Sequence, residues 1–179
     1  PKHIGKIQPA PGYLMSAEEF GETFVRVASD DLLRDGQIYA MPHYVDSLAL
    51  YYNVSHYQSA DLTSSRPAET WSGIQDDVRE LTIKKAEKAN EIQRAGIALG
   101  TENISNVEDI LYAMLLQYGS QICQNEKCTV ANIQGEGDPE AALTLYTGFS
   151  AEERPEFTWT DEILVNFDLY NDVDAFVQG

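Results

Sequence analysis

Met41-Pro42-His43-Tyr44-Val45-Asp46-Ser47-Leu48-Ala49-Leu50-Tyr51-Tyr52-Asn53 is the stretch on which the reading of the fold turns. Just ahead of it Ile38–Met41 suits a short strand, and Pro42 interrupts that strand because proline brings no amide donor to a ladder. Beyond the interruption Leu48, Leu50 and Tyr52 alternate with Ala49, Tyr51 and Asn53, the period of a half-buried strand. The pattern predicts strand, break, strand, with Tyr44–Asp46 in the break. The Tyr51-Tyr52 pair reads as strand packing, one ring inward and one toward the surface.

On the N-terminal side, residues 1–13 hold three prolines and read as irregular. Ser16-Ala17-Glu18-Glu19 matches a capping box, and Phe20, Phe24 and Val27 follow at helical spacing, predicting a helix that ends near Leu33. Asp35-Gly36 is a turn signal. On the C-terminal side, Thr70 is the expected cap of a helix whose inner face is Trp71, Ile74, Val78 and Leu81. Lys84–Gln93 is polar, either a fraying extension or a surface loop, and Ala95–Leu99 reads as a short buried strand. Thr101–Asn106 leads to a second box, Ser105-Asn106-Val107-Glu108, then a helix lined by Ile110, Leu111, Met114, Leu115 and Tyr118 and closed by Gly119. Ile122–Ile133 looks like a hairpin around Gln124–Lys127. Gly137-Asp138-Pro139-Glu140 starts another helix, which Leu143, Tyr146 and Phe149 carry inward. Phe157-Thr158-Trp159 is strand-like, and Asp172–Val177 begins a last helix. Helices alternating with short buried strands predict an α/β layered fold.

The 179 residues carry 29 acidic and 12 basic side chains, a formal net charge of −17. With 43% hydrophobic residues the chain can still fill a core, so the charge does not signal disorder. A strongly negative field repels phosphate backbones and anionic headgroups, which excludes nucleic acid and the membrane surface as expected partners.

No motif of an enzyme occurs: no GxSxG, no P-loop, no HExxH, and no GxGxxG after a strand. His3, His43 and His56 lack metal-like spacing, so neither a metal nor a cofactor is expected. Among so many carboxylates, a paired acid and nucleophile of the glycoside-hydrolase kind stays open as an alternative, for instance Asp46 with Glu102. Asn53-Val54-Ser55 and Asn103-Ile104-Ser105 fit the glycosylation acceptor pattern, which is frequent by chance. Cys123 and Cys128 read as a short disulfide across the hairpin, with two unrelated thiols as the alternative. A bridge over so short a loop stabilises by about 2 kcal/mol in the chain-entropy picture.

The 41–53 stretch resembles the first interlobe crossover of the extracellular solute-binding proteins of ATP-binding-cassette importers, in the sugar-binding group that includes maltose-binding protein. The likeness continues in order. Pro67-Ala68-Glu69-Thr70-Trp71 is similar to that family's helix start, and Arg94–Gly100 to a buried strand of its second lobe. Asp109–Gly119, Leu145–Phe149 and Phe157–Trp159 follow, and Asp174–Gly179 resembles its AFxxGK segment, cut before the Lys.

The resemblance implies a type II periplasmic binding-protein-like fold, incomplete and mostly second lobe. Residues 1–42 would be the tail of the first lobe, 43–47 the hinge crossover and 48–179 a truncated second lobe. It implies a monomeric, non-enzymatic, extracytoplasmic protein, periplasmic or a surface lipoprotein. Such a protein grips a mono- or oligosaccharide between lobes that close on a hinge and delivers it to a membrane permease. Carboxylates and amides suit sugar hydroxyls, and aromatic rings suit their apolar faces. By position in the resemblance, Tyr44 and Asp46 on the crossover, Thr101, Glu102 and Asn103 in the second-lobe loop, and Trp159 become ligand-contact candidates, with Asn106 beside them.

Overall fold

The computed structural model describes residues 4–60, 62, 64–120, 123–124, 127–128 and 137–179. The chain divides into two compact units, Pro1–Leu48 and Ala49–Gly179.

In the first unit Ser16 caps α1 (Ala17–Thr23), its hydroxyl accepting the Glu19 amide at 3.1 Å. The single helix expected to run to Leu33 is broken: Phe24 and Val25 are extended, and α2 (Arg26–Leu32) starts afresh. Thr23, Phe24 and Val25 are all poor helix formers. The break lets Phe20 and Ala28 enter one core with Ile38. Next, β1 (Leu33–Arg34) and β2 (Gln37–Ile38) form a hairpin around Asp35-Gly36. Both turn residues have positive φ, 50° and 71°, the two-residue geometry that matches the twist of paired strands.

Residues 40–52 form no strand, although their apolar alternation predicts one. Among the described residues no backbone hydrogen bond holds them. Tyr44 and Tyr51 are largely exposed. Alternation offers a face to bury, but a strand also needs a neighbour for its amides and carbonyls.

The first helix of the second unit follows Asn53, whose Oδ1 accepts the amides of Ser55 (3.0 Å) and His56 (3.4 Å) and so caps α3 (Val54–Ser59). Thr70 caps α4 (Trp71–Leu81), accepting the Gly73 amide at 3.2 Å. Ile74, Val78 and Leu81 face inward, while Trp71 is half-buried at the core edge and donates Nε1 to Gln117 at 2.7 Å.

Lys84–Gln93, read as a fraying extension or a surface loop, instead lies in a hairpin, β3 (Ile83–Lys85) against β4 (Lys88–Arg94). Its neighbour Ala95–Leu99 is in turn not a strand. The amide of Gly96 donates to the Thr158 hydroxyl at 2.6 Å, a side-chain link where a strand would need a ladder partner.

After α5 (Val107–Gln117), Gly119 at φ 78° closes the helix, and the Ser120 amide reaches back to the Leu115 carbonyl at 2.9 Å. The short strands β5 (Cys123–Gln124) and β6 (Lys127–Cys128) pair with Cys123 directly opposite Cys128. The bridge itself lies outside the described residues, as does most of the hairpin expected over Ile122–Ile133.

Asp138 caps α6 (Pro139–Gly148), accepting the Ala141 amide at 2.8 Å. The inward face of α6 is Ala142, Leu145 and Tyr146, with Phe149 just beyond, while Leu143 stands 43% exposed. Phe157–Trp159 is buried without joining a strand, the Thr158 and Trp159 amides both donating to the Phe149 carbonyl at 2.9 and 3.1 Å. The chain ends in α7 (Glu162–Asn166) and α8 (Asp172–Gln178).

Among the described residues every sheet is a two-stranded antiparallel hairpin, there is no closed barrel, and most of the regular structure is helical. Helix packing therefore holds the second unit together: α4, α5 and α6 enclose Val78, Met114, Ala142 and Phe149. A second cluster, Ile92, Ile104, Phe157, Trp159 and Ile163, lies under the loop that follows Leu99.

Candidate functional site

That loop is Gly100-Thr101-Glu102-Asn103-Ile104-Ser105-Asn106. It begins at Gly100, φ 108°, where a Cβ would stand 2.7 Å from the Ser150 amide nitrogen, so only glycine fits. Ser150 Oγ donates to the Gly100 carbonyl at 2.9 Å and the Tyr146 hydroxyl to the Thr101 carbonyl at 2.6 Å. Ile104 is buried and ties the middle of the loop to the core. At the far end the amide and hydroxyl of Ser105 both donate to Asp172 Oδ1, at 2.9 and 2.6 Å. The capping box expected at Ser105 does not form. Asn106 takes the cap position in a left-handed conformation (φ 58°, ψ 32°) without a side-chain bond to the helix.

Between these anchors Glu102 and Asn103 are exposed. The Thr101 hydroxyl is buried and unpartnered among the described residues. The loop thus presents a carboxylate and an amide to solvent, groups that accept from and donate to hydroxyls. Burial pushes the Tyr146 phenol above its ordinary 10.0, so it stays protonated and able to donate at neutral pH.

Tyr44 and Asp46 belong to the first unit. Tyr44 is 79% exposed, its ring edge-on to His43 at 5.8 Å. Asp46 accepts the Ser47 amide at 2.8 Å and is otherwise open to solvent. Trp159 takes a different place from the one expected of a stacking ring. It is 1% exposed, packed beneath the loop with Ile104 and Phe157, and offers no face to a solute.

Sequence reasoning missed an open polar groove of about 430 Å³ between α4, the start of α6 and the 154–156 turn. Its floor carries Glu156, a 4%-exposed carboxylate that accepts from Gln75 Nε2 at 2.8 Å, with Arg154 and Tyr118 on the walls. No local pattern marks Glu156, because its partner lies 81 positions away. A groove of similar volume includes Arg66, Glu69 and Asp77. There Asp77 accepts the Ala68 amide at 2.9 Å and the Tyr57 hydroxyl at 3.3 Å. Burial first, and then Asp77, raise the Tyr57 phenol well above its usual range.

Among the described residues no group of three His, Cys, Asp or Glu side chains is placed to hold a metal ion. None of their helices is long and apolar enough to cross a membrane. No protein-family model matches the chain, and neither does any curated protein or solved structure.

Proposed function

We propose that this chain is part of an extracytoplasmic solute-binding protein of an ATP-binding-cassette importer, with a type II periplasmic binding-protein-like fold. It captures a mono- or oligosaccharide and hands it to a membrane permease. The observation that carries the reading is the division of the chain into two compact units just after Tyr44–Asp46, within a stretch that is exposed and, among the described residues, held by no backbone hydrogen bond. A receptor that closes on its solute needs a joint of this kind, able to change its dihedrals without breaking a ladder. The ordered likeness of the sequence from Ser16 to Gly179 to the sugar-binding group supports the same reading.

In this proposal Asp46 and Glu102 accept from sugar hydroxyls, Asn103 adds polar contacts, Tyr44 offers a ring face, and Thr101, its hydroxyl buried, anchors the loop. Trp159 acts from below by supporting Ile104. No bond of the solute is broken. The protein acts as a monomer outside the cytoplasmic membrane, periplasmic or lipid-tethered.

Titration calorimetry with glucose, maltose, maltotriose, cellobiose and xylobiose, with chromatography of the same mixtures, tests the reading. The expected result is saturable binding without new products. Asp46→Asn and Glu102→Gln should each weaken binding about tenfold or more, as for lost charge-assisted hydrogen bonds, with the melting temperature unchanged. Cleavage of a sugar, or no binding across the panel, overturns it.

A further inference from the structure

A seven-residue loop without a ladder keeps one shape only if something fixes it, because each free residue regains backbone entropy. Gly100–Asn106 is fixed from two helices that are distant in sequence. From α6, Tyr146 holds the Thr101 carbonyl at 2.6 Å. From α8, Asp172 holds both donors of Ser105 through one oxygen, at 2.9 and 2.6 Å.

Asp172 and Ser105 do not do the local jobs their positions suggest. A carboxylate at the first position of α8 is well placed to cap that helix, yet Asn171 already does so, accepting the Asp174 amide at 2.9 Å. A serine before α5 is placed to cap that helix too. Instead its hydroxyl crosses 67 positions to Asp172, and Asn106 enters the helix through a left-handed conformation that costs local backbone energy. Local preference yields here to a long-range link, which is expected where a shape is needed for use. Between the two tethers, Glu102 and Asn103 stand in solvent.

We infer that Tyr146 and Asp172 are positioning residues. They clamp the two ends of the loop so that Glu102 and Asn103 meet the solute already in place, sparing the ordering cost on binding. The role toward the solute rests on the binding function proposed above; the clamp rests on the geometry alone.

The test joins amide hydrogen exchange to calorimetry on the full chain. Asp172→Ala should speed exchange across residues 102–105 about tenfold or more while the amides of α5 and α6 keep their rates. Asp172→Asn keeps an acceptor oxygen and should retain most of the protection. Tyr146→Phe should loosen the Thr101 side alone. With the panel sugar that the unmodified chain binds, Asp172→Ala and Tyr146→Phe should raise Kd about three- to tenfold, and Asp172→Asn should stay closer to the unmodified value.

Unchanged exchange in Asp172→Ala overturns the clamp, whatever the sugar does. A loosened loop with unchanged Kd overturns the positioning role. If the unmodified chain binds no sugar, the solute reading falls and the positioning role with it, while exchange still decides the clamp. Should Asp172→Ala fail to fold, Tyr146→Phe decides both points from the other end: unchanged exchange on the Thr101 side overturns the clamp, and a loosened loop with unchanged Kd overturns the positioning role.

Discussion

Residues 41–53 and residues 100–106 differ in the opposite sense from what their sequences suggest. The first stretch has regular apolar alternation and forms no strand; the second has no period and is held at both ends. Leu50 and Tyr51 are 54% and 76% exposed, whereas Ile104, in the unpatterned loop, is 5% exposed. Order at these two places follows from which partners the rest of the chain supplies, and pattern alone does not supply them.

That contrast can be broken most forcefully from beneath the loop. Phe149 is fully buried among α4, α5 and α6, and its carbonyl receives the amides of Thr158 and Trp159. Phe149→Ala should cost about 3–5 kcal/mol in denaturant unfolding. A loss under about 1 kcal/mol would mean that the loop does not depend on this core.

Thr158 sharpens the comparison at the next level. It is fully buried, accepts the Gly96 amide at 2.6 Å and lies 2.6 Å from the Thr82 hydroxyl, which contacts the Val78 carbonyl at 2.6 Å. One proton per hydroxyl fixes the direction: Gly96 donates to Thr158, Thr158 to Thr82, and Thr82 to Val78. Thr158→Val leaves the Gly96 amide without its acceptor and should cost about 1–3 kcal/mol by the same measurement.

A smaller effect lies where the exposed stretch meets its first helix. Burial, and then the positive Arg94, hold the His56 imidazole below its ordinary 6.5. The unfolded chain therefore takes up this proton first as pH falls past 6.5, so the contribution is intact above that value and lost as pH drops toward the folded one. Melting curves between pH 7 and 5 should show a decline that His56→Gln flattens, and identical slopes would remove His56 from the account. Least affected is the alternating stretch itself. Leu50→Ser should change stability by no more than about 0.5 kcal/mol. A larger loss would reveal that Leu50 is packed after all.

The parts legible in the sequence are those whose cause lies within a few residues. Ser16, Thr70 and Asp138 cap as expected, and Asp35-Gly36 and Gly119 turn the chain where their φ freedom is needed. The β3–β4 hairpin escaped because its Ala86-Glu87 turn contains no residue of positive φ and no turn dipeptide, and because Ile92 is the residue it buries. At the candidate site, the exposure of Glu102 and Asn103 could be read from a polar run between Leu99 and Ile104. Trp159 could not be placed, since a strand-like aromatic serves a core or a ligand face equally well in sequence. Asp172 and Glu156 were invisible for a simpler reason: their partners lie 67 and 81 positions away.

Gly119 and Gly137 meet backbone to backbone: a Cβ on Gly137 would sit 2.5 Å from the Gly119 carbonyl, and the Asp138 amide donates to Tyr118 at 2.9 Å. The end of α5 and the start of α6 are thereby moored to each other. A methyl group at Gly137 would wedge the two helices apart, so the spacing between α5 and α6 is set by the want of a side chain there.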